Sequence, residues 1–122
     1  MKVTGIVERG SGRGKSEFVP TLNLMLDSVP EDLEYGIYVC QVIIDNRSFG
    51  GVMHYGKRTT IDDLVTFEVN VFDFDQDIYG QKVEVQVLDK IRNIVKFANK
   101  EELQKQIQQD VVEAKKVLNN KL

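Results

Sequence analysis

The sequence predicts a mainly β protein: a six-stranded antiparallel, Greek-key-like barrel followed by a C-terminal α-helix. Six stretches between Lys2 and Ile91 carry strand-like apolar patterning and are separated by turn formers. After Asn99 the apolar period lengthens to that of a helix. A chain of 122 residues has room for one core and not two, and closing six strands into a barrel leaves no exposed sheet edge.

The elements follow in order. "KVTGIVE" opens with β-branched residues and runs into a glycine-rich loop. "TLNLML" follows Pro20 and alternates; "GIYVCQVIID" is long and apolar. "RSFGGVMHYG" pairs back on it across Asp45-Asn46, a two-residue hairpin turn. In "TFEVNVFDF", Phe67, Val69 and Val71 point one way, Glu68 and Asn70 the other. "KVEVQVLDKI" repeats the alternation with Val83, Val85 and Val87, and the turn-rich "DFDQDIYGQ" joins the two. Asn99 caps the helix with Glu102 as its capping-box partner. Leu103, Ile107, Val111, Ala114 and Leu118 then make one stripe, expected to lie on the β core. The expected organisation is a single domain over 1–122, with the barrel over about 1–98 and the helix over about 100–119.

Composition narrows the function. A net charge of -3 argues against a general nucleic-acid binder, although Arg9, Arg13 and Lys15 leave one loop locally basic. The single Cys40 excludes an internal disulfide and a cysteine-based zinc site, and within "YGIYVCQVII" it reads as a packing residue. There is no signal-peptide h-region, and no apolar run approaches the ~20 residues that span a bilayer. A cytoplasmic monomer without membrane or nucleic-acid partners is expected.

Three motifs invite over-reading. In "GRGKSEFVPTLNL" the Gly14-Lys15-Ser16 triplet resembles the end of a P-loop, but Gly10 stands one residue too close, and Pro20 and a strand follow where a helix must begin. Backbone N–H groups of such a loop still suit phosphate. Asp73, Asp75 and Asp77 have calcium-loop spacing, yet Ile78 occupies the position that needs glycine. His54, the only histidine, has no second histidine with which to bind metal and reads as a partly exposed strand residue.

The loop, "PTLN", "FEVNVFDFDQDIYG", "IRNIVKF" and the helix together resemble the riboflavin kinase (flavokinase) family, in order and over nearly the whole chain. The matching pieces are Gly10, Gly12 and Gly14; Pro20-Thr21-Leu22-Asn23; Gly36-Ile37-Tyr38; Glu68; Phe74 to Gly80; Arg92; and the segment after Asn99. The resemblance implies a small six-stranded barrel that phosphorylates the riboflavin 5′-hydroxyl with ATP and Mg²⁺ or another divalent cation, giving FMN and ADP. It implies Glu68 as the catalytic base, Gly10, Gly12, Gly14, Lys15, Thr21 and Asn23 at the nucleotide, Thr21 and Asn23 on the metal, and Arg92 on the flavin side. Thr21 and Asn23, two apart on a strand, project from one face and offer neutral oxygens to one cation. The chain departs from the family pattern at Glu17-Phe18-Val19, Leu22, Thr59-Thr60 and Ile94. These departures motivate an alternative, a catalytically weak or inactive flavin- or nucleotide-binding barrel of the same family. Many family members also carry a nucleotidyltransferase half that makes FAD; these 122 residues are too few to hold it, and FAD synthesis is not expected of them.

Overall fold

A computed structural model describes residues 1–8, 21–57 and 65–121. The strands are β1 (Lys2–Glu8), β2 (Thr21–Leu26), β3 (Gly36–Ile44), β4 (Arg47–Lys57), β5 (Val65–Val71) and β6 (Lys82–Arg92), followed by α1 (Lys100–Lys121). All pairings are antiparallel, and the strands close into a barrel in the order β1-β2-β5-β4-β3-β6. The expected barrel and helix are therefore present. Among the described residues no helix is long and apolar enough to cross a membrane.

Strand alternation sorts the side chains into two clusters. Inside the barrel lie Val7, Val42, Met53, Val69, Val83 and Val85 with their neighbours. Compact β-branched side chains suit both the pleated backbone and the narrow interior of six strands. Cys40 is part of this filling, and burial pushes its thiol up to about 12, so it is a packing residue, as its apolar context predicts. Outside the wall, Ile37, Val39, Val52 and Phe72 form a second cluster with Ala114, flanked by Val111, Val117 and Leu118 of α1. The helix thus covers the outer face of β3 and β4 and does not enter the barrel.

Only part of the predicted helical stripe is used. Ala114 is fully buried, but Leu103 is 40% exposed. The first turns are held by polar groups: the Asn99 Oδ1 accepts from the Glu102 N–H at 2.9 Å, and Glu102 Oε2 accepts from the Ala98 N–H at 3.2 Å. The capping box forms, reaching one residue further back than the usual N-cap N–H. Asn99→Ala should cost about 1 kcal/mol in a urea denaturation series, because the orphaned helix N–H groups regain only water.

The β3–β4 turn is the predicted one, with Asp45 at φ 50° and Asn46 at φ 64°, the left-handed pair a tight hairpin requires. At β5 the expected strand overruns the observed one. The ladder stops at Val71, the Phe72 N–H donates to the Gly50 carbonyl at 2.9 Å, and Asp73 turns at φ 58°. This kink sends Phe72 under the helix, while Phe74 and Ile78 rejoin the interior cluster. Hydrophobic alternation continues through the segment, which is why the sequence reads as strand.

Candidate active site

The outer faces of β2 and β5 carry polar side chains where the neighbouring wall is apolar. Thr21 lies opposite Asn70, and Asn23 opposite Glu68. On the other flank of β5, Glu68 lies opposite His54 and Asn70 opposite Val52. One register row therefore runs Asn23, Glu68, His54, Ile37, Arg92 across five strands. Directly opposed side chains of an antiparallel pair have Cβ atoms about 4.5–5.5 Å apart, so Asn23 and Glu68 are immediate neighbours. Glu68 is half-buried and faces away from Phe67, Val69 and Val71, as the alternation predicts.

The Thr21 hydroxyl donates to Asn70 Oδ1 at 2.6 Å. That bond commits its proton and leaves its lone pairs directed elsewhere, a suitable arrangement for an oxygen that is to face a cation. Among the described residues there is no group of three or more His, Cys, Asp or Glu able to hold a metal. A divalent ion here would rest on the neutral oxygens of Thr21 and Asn23, and its charge would be compensated by phosphate oxygens, with water completing a shell that Mg²⁺ gives up reluctantly. The residues present fit the ion. Gly10, Gly12, Gly14 and Lys15 lie outside the described residues, as do Glu17-Phe18-Val19 and Thr59-Thr60; Thr21 is the first described residue after that loop.

Arg92 ends the row in a tight clamp. Its Nε donates to Asp110 Oδ1 at 2.9 Å, Nη2 to Asp110 Oδ2 at 2.8 Å, and Nη1 to the Asn93 carbonyl at 3.0 Å. Gln106 Nε2 also donates to Asp110 Oδ1, at 3.0 Å. The Phe97 ring lies 5.8 Å from the guanidinium carbon. Arg92 thus ties the end of β6, the segment beyond it and α1 together.

Next to His54, Gly56 has φ +154°, a conformation that L side chains rarely adopt. A Cβ there would sit 2.1 Å from Ile94 Cδ1 and 3.4 Å from Tyr35. Ile94, a departure from the family pattern, fills the glycine notch, which gives it a packing role.

Asn70, His54 and Asp110 belong to this region but were not singled out from the sequence as site residues. Asn70 was within reach, since it shares the Glu68 face two residues on. Asp110 falls between Ile107 and Ala114 on the apolar stripe, and an acidic residue there signals a buried partner.

The fold and this row define a small closed antiparallel barrel with neutral oxygens and a carboxylate grouped on its outer wall, beside a C-terminal helix. Comparison with known proteins gives the family. The riboflavin kinase (flavokinase) family profile matches residues 1–118, and the chain belongs to that family. It is 39% identical over 121 residues to a bifunctional riboflavin kinase/FMN adenylyltransferase of Haemophilus influenzae, covering 98% of this chain and 39% of that protein. It is 40% identical over 107 residues to the trifunctional protein RibF/MnmA of Mycoplasmoides gallisepticum, covering 87% of this chain and 16% of that protein. Among solved structures, a Streptococcus pneumoniae protein described as a macrolide-efflux protein superposes with a TM-score of 0.82 at 36% identity, covering 93% of this chain and 38% of that one. The chain spans well under half the length of each.

Proposed function

We propose that this chain transfers the γ-phosphoryl group of ATP to the 5′-hydroxyl of riboflavin, giving FMN and ADP. One observation carries the reading: in a chain of the riboflavin kinase family, Glu68 stands directly opposite Asn23, with Thr21 one residue pair along the same face. Phosphoryl transfer asks little covalent chemistry of a protein; it asks for an oriented hydroxyl and stabilised charge.

Glu68 holds the riboflavin hydroxyl and takes its proton as the hydroxyl oxygen bonds to the γ-phosphorus. The bond from that phosphorus to the bridging oxygen breaks, and ADP leaves with the electron pair. Thr21 Oγ1 and Asn23 Oδ1 would hold Mg²⁺, with the Asn70 bond orienting the threonine oxygen for that task. When bound, the ion neutralises charge that builds on the phosphate oxygens. Gly10, Gly12 and Gly14 offer backbone N–H groups to the phosphates, and Lys15 offers its ammonium. On the flavin side, Arg92 acts by fixing residues 93–97 and the start of α1, since its guanidinium is already engaged by Asp110 and Asn93. Nothing in the geometry favours the catalytically inactive alternative.

Incubation with riboflavin and Mg-ATP, followed by separation of flavins, should yield FMN with equal ADP. Folded protein that makes no FMN with any nucleoside triphosphate would overturn the proposal. Asn23→Ala should lower kcat/KM for MgATP by at least the roughly 10- to 100-fold that follows loss of an outer-sphere partner of a bound metal. Steady-state titration of MgATP at saturating riboflavin checks it, and excess Mg²⁺ should restore part of the loss.

A further inference from the structure

We propose that His54 is a positioning residue for Glu68, its Nδ1 making the hydrogen bond that fixes the carboxylate for the substrate hydroxyl. The inference rests on the phosphoryl-transfer reading above.

His54 and Glu68 are direct cross-strand partners on β4 and β5 and share the outer face. The other cross-strand neighbour of His54 is Ile37, so Glu68 is its polar neighbour in the row. Its Nδ1 is buried and has no hydrogen-bond partner among the described residues. A buried polar atom left unpaired carries a free-energy cost. The fold itself does not require that cost, because Val52, two residues earlier on the same face, fills the equivalent place with an apolar side chain. The glycine notch beside it is already occupied by Ile94 and Tyr35. The nitrogen calls for a partner that arrives only when the site is organised, and Glu68, the directly opposed residue, carries a carboxylate on the same face.

The charge state is consistent with this task. Burial holds the imidazole pKa below its ordinary value; the Glu68 charge and then the imidazole's contact with its own backbone oppose that, and the Arg92 charge adds to it. A neutral imidazole with its proton on Nδ1 can donate a hydrogen bond to a carboxylate without transferring that proton.

The test uses the difference between the two ring nitrogens. An asparagine amide falls near the place of Nδ1, whereas a glutamine amide falls near Nε2. His54→Leu should lower kcat for FMN formation about tenfold, the value of a hydrogen bond to a charged group, with both KM values and the thermal midpoint little changed. His54→Asn should restore most of kcat and His54→Gln should not. Unchanged kcat in folded His54→Leu would overturn the inference, as would equal rescue by Asn and Gln, or a loss confined to the KM for riboflavin. Should the leucine variant not fold, the Asn-against-Gln comparison decides alone. Wild-type protein that makes no FMN would remove the phosphoryl-transfer reading and this inference together; active wild type with an unaffected leucine variant would remove only the inference.

Discussion

Glu68→Gln is expected to lower kcat for FMN formation by about 10²–10⁴-fold, the usual contribution of a general base, and to leave the barrel folded. The substitution keeps size and shape while removing the ability to take a proton. Nothing in the fold depends on the charge: Glu68 is half-buried on the outer wall, and no ion pair to it occurs among the described residues. Its strand is held by backbone pairing to Asn23 and His54 and by the interior residues Phe67 and Val69. The glutamine amide can still hold the riboflavin hydroxyl, so KM for riboflavin should change far less than kcat. KM for MgATP should change little, because Thr21 and Asn23 are untouched. Single-turnover formation of FMN, with circular dichroism as the check on folding, separates the outcomes. A variant with near-wild-type kcat would show that Glu68 does not accept the proton.

The β architecture was legible because strand alternation records which face is buried. The pattern of Phe67, Val69 and Val71 against Glu68 and Asn70 by itself places the carboxylate on the face opposite the apolar interior. Which residues of different strands share a row was not legible, because register depends on how six strands close, and no local pattern states it. Hence Asn23 and Glu68 could be assigned to one site from family resemblance, while His54 between Glu68 and Ile37 could not. The kink after Val71 was hidden for a related reason. Phe72 and Phe74 are buried in different clusters, and a run of apolar residues does not say that the chain changes layers. Arg92 illustrates a further limit: its choice of Asp110, eighteen residues on, is set by where α1 docks.

Asp110→Ala is expected to destabilise the protein by about 3 kcal/mol, the lower end of the cost of breaking a buried ion pair. The Asp110 side chain is 5% exposed and that of Arg92 20%, so removal of the carboxylate strands a guanidinium from which water is largely excluded. Both oxygens are used, one by Arg92 Nη2 and the other shared by Arg92 Nε and Gln106. The loss should be large for a single helix residue because the N-terminal half of α1 has little apolar anchorage, with Leu103 exposed and the buried Ala114 further along. A urea series should show the lower midpoint, and hydrogen exchange should show the first turns of α1 opening before the barrel. Replacing both partners with apolar residues, as in Arg92→Met with Asp110→Leu, should recover much of the stability, since no uncompensated charge then remains. If the pair mainly sets where residues 93–97 lie against the site, that double variant should be stable yet bind riboflavin more weakly. Recovery of both stability and riboflavin affinity would show that the clamp serves the helix alone.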